Sequence, residues 1–253
     1  MTSILTGQHA LVTGGGRGIG RAIAAALAGA GARVSITGRD RGALERAVAD
    51  GAAHAFALAD VTDEAATRAA ILDLAEPQLF DIAVANAGGV STAPFHRTDA
   101  AAFRAMFELN TIGVVTAFNA VLPAMLTKGS GRLIAIASTA GHRGYPYVSA
   151  YCAAKHAVIG LVKALALEVA KSGVTVNAVS PGYTDTDLVG DAIQKIASKT
   201  GMAASDAKSR LAADNPMGRL IAPEEVAATV LHLCGPGSGA ITGQSLLING
   251  GEF

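Results

Sequence analysis

Short apolar runs ending in Gly, Asp or Asn alternate along this chain with Ala-rich stretches of helical period. Continuous apolar runs bounded by turn residues suit strands buried on both faces, and the helices between them supply the crossovers of a parallel sheet. The runs predict strands over 10–13, 33–37, 55–58, 81–85, 132–137, 175–179 and 245–248. Helices are predicted to begin at Gly18, Arg41, Asp63, Asp99, Thr111, Ser149 and Pro223, the last with proline in a first turn, where its missing N–H costs little. The pattern implies one α/β domain over residues 1–253, a doubly wound parallel sheet of seven strands with helices on both faces.

One stretch breaks the rhythm. From residue 183 to 215 no strand is predicted, and small and polar residues are interrupted by Leu188, Ile193, Ile196 and Leu211. It follows the carboxyl end of a strand, where open α/β sheets bind ligands, so it is expected to be a lid over a site.

Composition narrows the partners. Of 253 residues, 51% are hydrophobic and 30 are Gly, while 20 basic and 20 acidic side chains cancel. Without a run of like charge, nothing points to nucleic acid or to an anionic membrane surface. The expected partners are small molecules and copies of the chain itself. Cys152 and Cys234 fit buried thiols in a reducing compartment rather than a disulfide framework or a metal site. No basic-then-apolar leader and no uninterrupted apolar stretch of ~20 residues is visible, so the expectation is a cytoplasmic protein.

Chemistry enters with Tyr151 and Lys155. Four residues apart on a helix they share one face, and a cation beside a phenol favours the phenolate. Ahead of them lie a glycine-rich turn, Thr13-Gly14-Gly15-Gly16-Arg17-Gly18-Ile19-Gly20, then Asn86-Ala87-Gly88 after an apolar run, and Ser138 at the end of another. Glycines between a strand and a helix permit a tight turn, close backbone approach and donated N–H groups for a pyrophosphate.

Taken together, these motifs resemble those of the short-chain dehydrogenase/reductase family, over about residues 7–251. The resemblance implies a Rossmann-type fold and a nicotinamide cofactor. It places Gly14, Gly16, Arg17, Gly18, Ile19 and Gly20 on the pyrophosphate, Asp60 and Val61 at the adenine, and Asn86, Ala87 and Gly88 along the cofactor cleft. Pro181, Gly182, Thr184 and Thr186 fall where the family holds the nicotinamide carboxamide. At the second strand's end, Gly38 and Arg39 replace the acidic residue that bonds a ribose 2′-OH, and Arg17 could join Arg39 on a 2′-phosphate. NADP is therefore expected, with NAD kept open by Asp40. Ala85 departs from the Asn usual there.

Hydride transfer to a ketone requires a proton donor and a second hydrogen bond to the developing alkoxide. Tyr151 as general acid or base and Ser138 as carbonyl polariser meet that need. The resemblance gives Lys155 the tasks of lowering the Tyr151 pKa and bonding the nicotinamide ribose, and gives Asn110 a water in the proton relay. His142 reads as a solvated loop histidine, and Cys152 as packing. His96, His156 and His232 lack metal-ligand spacing, and Tyr145 and Tyr147 could line a substrate mouth.

The expected activity interconverts a ketone and a secondary alcohol with NADP(H), similar to ketoacyl-thioester, polyketide and broad carbonyl reductases. Alternatives are an NAD-dependent 3-hydroxyacyl-CoA or secondary alcohol dehydrogenase and a non-catalytic nucleotide sensor. The family also implies homotetramers built through helices near 111–127 and 150–171 and the strand near residue 245.

Overall fold

The computed structural model describes residues 3–253. The strands are β1 (His9–Thr13), β2 (Arg33–Gly38), β3 (Ala55–Leu58), β4 (Ile82–Ala85), β5 (Gly131–Ile136), β6 (Val174–Pro181) and β7 (Ser245–Ile248). Among the described residues they form one seven-stranded parallel sheet in the order β3-β2-β1-β4-β5-β6-β7. Every residue of β1, β4 and β6 is buried, as strands covered on both faces must be.

The helices are α1 (Gly18–Gly29), α2 (Arg41–Ala49), α3 (Glu64–Leu74), α4 (Ala100–Phe107), α5 (Gly113–Lys128), α6 (Ser149–Glu168), α7 (Asp187–Thr200), α8 (Ala204–Ala213) and α9 (Pro223–Cys234). Ile23 and Leu27 of α1, Leu44 of α2 and Val226 and Val230 of α9 pack on one face of the sheet. Ile71 of α3, Phe118 of α5 and Val158 and Val162 of α6 pack on the other. These two apolar layers are the main source of folding free energy.

Asp40, Asp63 and Asp99 cap α2, α3 and α4, each accepting from the N–H three residues on. The helix expected to open at Thr111 instead continues from α4 through a π-helical turn, Glu108–Ile112, into α5. The run Ala100–Lys128 and helix α6 are each long and apolar enough to cross a membrane, but they pack against the sheet.

The irregular stretch after β6 is helical: Thr186 precedes α7, and α8 follows Gly201, which has φ +71°. Ile193 and Ala207 turn inward and are buried. The side chains of Leu188 and Ile196, part of the expected lid, lie outside the described ones. A parallel bridge joins Thr184 to Ile221 and closes the excursion onto the sheet's carboxyl end.

Candidate active site

The strand order reverses between β1 and β4, and a crevice opens beyond their carboxyl ends. The glycine-rich turn and Asn86 meet there. The Asn86 amide donates to the carbonyls of Thr13 and Gly14 at 3.0 and 3.2 Å, while Thr13 Oγ1 accepts from the N–H groups of Asn86 and Ala87. Two glycines are forced by this packing. Gly14 has φ +66° and an added Cβ would stand 3.0 Å from Ala87 Cα; at Gly20 it would stand 2.2 Å from the Gly14 carbonyl oxygen.

The amino end of α1 differs from those of α2, α3 and α4. Arg17 precedes it without a side-chain cap, whereas Asp40, Asp63 and Asp99 cap the other three. Opposite stands Thr186, whose Cγ2 would lie 3.3 Å from a Cβ added to Gly18. Thr184 is buried, its hydroxyl donating to the Gly182 carbonyl, and Gly182 N–H donates to Ile248 of β7. The turn after β6 is thus anchored to the sheet and faces the glycine-rich turn.

Deeper along the crevice, Ser138 ends the β5 run and its Oγ accepts from Ala140 N–H at 3.1 Å. The Ser138 hydroxyl also lies close enough to the Tyr151 phenol to oppose a rise in its pKa. One turn along α6, buried Lys155 donates from Nζ to the Ile136 carbonyl at 2.8 Å and lies 5.8 Å from the centre of the Tyr151 ring. A Cβ on Gly88 would meet Asn110 Oδ1 at 2.8 Å and Lys155 Nζ at 3.6 Å. A bare backbone at residue 88 therefore leaves space in front of both.

The electrostatics differ from the expected lowering of the phenol pKa. Burial raises the pKa of Tyr151, with the nearby Ser138 hydroxyl working against it, and burial lowers Lys155 from 10.5 to about 8. Desolvation disfavours phenolate and ammonium alike, so each group is biased towards its neutral form.

A family model described as enoyl-(acyl carrier protein) reductase matches residues 14–252. The chain is 38% identical over 248 residues to cis-4-hydroxycyclohexanecarboxylate dehydrogenase of Sinomonas cyclohexanicum, covering 96% of this chain and 95% of the relative. It is 36% identical over 250 residues to 3-oxoacyl-(acyl-carrier-protein) reductase of Escherichia coli, covering 98% of each. The crystal structure of an actinorhodin polyketide ketoreductase with NADPH superposes with a TM-score of 0.92 at 34% identity, covering 97% of each chain. The chain is a short-chain dehydrogenase/reductase. It is a nicotinamide-dependent oxidoreductase acting on CH–OH groups.

Most residues expected at the site of this short-chain dehydrogenase/reductase do converge on the crevice. Gly38 ends β2, and exposed Arg39 meets Asp60 at 3.5 Å. Asp60 is held by Thr62 through its N–H and hydroxyl, which lowers the carboxyl pKa with help from Arg39. Val61 is buried and would lie 3.0 Å from a Cβ on Gly113. Arg17 is exposed at the mouth of the glycine-rich turn.

His142 is exposed in a loop, as its reading as a solvated loop histidine expects, and it also makes structural contacts. Although it is exposed in part, its Nε2 lies 3.1 Å from Ser180 Oγ and 2.9 Å from Ser245 Oγ, bracing β6 and β7. Cys152 is buried as packing, and no group of three metal-ligating side chains occurs among the described residues. Tyr147 takes φ +67°, rare for a side-chain-bearing residue, with its carbonyl accepting from Ala93 N–H at 2.8 Å. No sequence signal marks that conformation.

Proposed function

We propose that this protein reduces a ketone to a secondary alcohol with NADPH, as a carbonyl or 3-ketoacyl-type reductase. The observation that carries the reading is buried Lys155 one helical turn behind Tyr151, with the Ser138 hydroxyl approaching the phenol from the end of β5. Two hydroxyl groups thereby converge from β5 and α6 on one point of the crevice. A ketone oxygen placed there would receive a hydrogen bond from Ser138 and a proton from Tyr151.

The crevice fits a dinucleotide. The uncapped start of α1 offers the N–H groups of Gly18, Ile19 and Gly20 to a pyrophosphate, beside Gly14, Gly16 and Arg17. Asp60 and Val61 would border the adenine, and Asn86, Ala87 and Gly88 would line the middle. Pro181, Gly182, Thr184 and Thr186 would frame the nicotinamide, and Arg17 with Arg39 would take a 2′-phosphate. The nicotinamide supplies the hydride when bound.

Within the chain, Tyr151 is a protonated acid at neutral pH because burial raises its pKa. Lys155 restores protons behind it and would hold the ribose hydroxyls. Asn110 spends its side chain on the Gly89 backbone and on Met106, so it contributes by holding the loop in front of Lys155. Helices α7 and α8 would cover the substrate as a lid and keep water from the reacting carbonyl.

Leu126 and Leu167, 43% and 82% exposed on α5 and α6, support self-association through these helices, in the manner of the family's tetramers. The two free, buried thiols suit a reducing cytoplasm. A second reading, oxidation of a ring-bearing secondary alcohol with NAD, draws support from the similarity to the hydroxycyclohexanecarboxylate dehydrogenase.

Initial rates of NADPH and NADH oxidation with a β-keto ester, a 3-ketoacyl thioester and an aryl ketone test the proposal. NADPH-linked turnover is expected. Turnover only in the alcohol-oxidising direction with NAD would replace it with the second reading, and silence in both directions would leave a nucleotide-binding protein without turnover.

A further inference from the structure

A buried carboxylate outside the reacting group ties the two turns of the site together. Glu252 follows β7 and its side chain is only 8% exposed. Its Oε1 accepts from Tyr145 OH at 2.5 Å and lies 3.5 Å from Arg143 Nη1. The same Tyr145 hydroxyl lies 2.9 Å from Thr139 Oγ1, and Thr139 is the residue after Ser138. On its other side, Glu252 Oε2 would stand 3.6 Å from a Cβ on Gly182.

The neighbouring rings tighten the arrangement. The Arg143 guanidinium lies 4.9 Å from the centre of the Tyr145 ring and 5.4 Å from that of Phe253. Tyr145 meets Tyr183, next to Gly182, edge-on at 6.4 Å. A carboxylate nearly removed from water is retained at a cost unless charge and hydrogen bonds compensate, and here both compensating partners come from the Ser138 turn.

We propose that Glu252 is a positioning residue for the reaction. Through Tyr145, Thr139 and Arg143 it fixes the Ser138 turn against the Pro181–Gly182 turn, and so fixes the hydroxyl of Ser138 relative to the nicotinamide face of the crevice. Displacing a reacting group by about 1 Å costs roughly 10²-fold in rate, so a tie at this position acts on turnover before it acts on stability. The kinetic part rests on the reductase reading above; the mechanical part does not.

Glu252→Ala, Glu252→Gln and Tyr145→Phe test it by ketone reduction, NADPH titration and amide hydrogen exchange over residues 139–145 and 182–184. Glu252→Ala is expected to lower kcat by roughly 10- to 100-fold with the NADPH Kd within about twofold of wild type. Glu252→Gln, which keeps an acceptor oxygen for Tyr145, is expected to restore most of the rate. Tyr145→Phe should lose a similar factor, and adding Glu252→Ala to it should cost little more, because the two act as one unit. Exchange in both segments should quicken at least tenfold in Glu252→Ala while the β1 and β4 amides stay protected.

Unchanged exchange in both segments overturns the proposal whatever the turnover, and so do rate losses that multiply independently. If Glu252→Ala does not fold, Tyr145→Phe at wild-type rate and exchange overturns it. Quickened exchange in a protein whose wild type reduces no ketone would sink the reductase reading and leave the tie standing.

Discussion

Asn110 grips the backbone of Gly89 from both directions: its Oδ1 accepts the Gly89 N–H at 3.1 Å and its Nδ2 donates to the Gly89 carbonyl at 3.0 Å. A third bond runs to the Met106 carbonyl at 3.1 Å, four residues back along a helix widened at Glu108–Ile112. Such widened turns cluster at functional sites because they aim a side chain out of the regular ladder. The grip fastens the loop after β4 to the π-helical turn, beside Lys155.

Asn110→Ala removes the partner of several buried backbone groups at once. Leaving them unsatisfied is expected to cost about 2–4 kcal/mol, and a thermal melt should show a Tm lower by roughly 5–15 °C. Turnover should fall further than cofactor affinity. A melt within 1 °C of wild type would show that the grip holds nothing.

Lys155 gives the opposite sign. Its pKa falls from 10.5 to about 8 through burial, so the folded protein releases a proton more readily than the unfolded chain. That cost, on the order of 3 kcal/mol, is fully present below pH 8 and fades as pH rises from 8 towards 10.5. Lys155→Met removes the cost but loses the bond to the Ile136 carbonyl, worth about 1 kcal/mol. The variant should therefore melt a few degrees above wild type at pH 7, cross it near pH 10 where the fading cost equals the lost bond, fall slightly below it at pH 10.5, and be inactive. A lower Tm at pH 7 would contradict the burial argument.

Tyr151→Phe should bind cofactor as wild type does yet lose about 10²- to 10⁴-fold in kcat, the usual contribution of a positioned proton donor. Because burial raises the phenol pKa, the base needed for alcohol oxidation is scarce at neutral pH. Oxidation is therefore expected to accelerate between pH 7 and 9 while reduction does not. A pH-rate profile in each direction checks this, and matching profiles would remove Tyr151 from the proton transfer.

Several of these relationships were legible before any coordinates. The β1, β4 and β6 runs are buried on both faces, so they stand out as largely apolar segments, wholly so in β4, and Asp40, Asp63 and Asp99 announce helix starts by their capping chemistry. The π-helical turn was not legible, because Glu108–Ile112 has the composition of ordinary helix and the partner of Asn110 within it, Gly89, lies 21 positions away. Helices α7 and α8 were hidden by small and polar residues that carry only a narrow apolar stripe. Glu252 offered no pattern at all: Tyr145 is 107 positions away, and only the sheet's closure at β7 brings the two together. The lowered Tyr151 pKa expected from helical spacing gives way to a raised one because spacing reports proximity and carries no information on desolvation.

The proposed use of NADPH rests on Arg39. Arg39 follows β2 with its side chain 67% exposed, and its ion pair to Asp60 at 3.5 Å is long and solvated. Pairs of that kind contribute about 0–1 kcal/mol, so the guanidinium can turn to a 2′-phosphate at little cost. A charge-assisted bond to phosphate contributes roughly 1.5–3 kcal/mol, and an aspartate in its place would instead repel the phosphate and accept from a ribose hydroxyl. Arg39→Asp is therefore expected to lower the NADPH to NADH ratio of kcat/KM by at least tenfold, chiefly through the KM for NADPH, with Tm unchanged within about 2 °C because the side chain supports no packing. Arg17→Ala should move the same ratio by a smaller factor. An unchanged ratio in Arg39→Asp would mean that the phosphate is held elsewhere, and a fall in both cofactors' kcat/KM by the same factor would mean that Arg39 serves the adenine pocket rather than the choice between them.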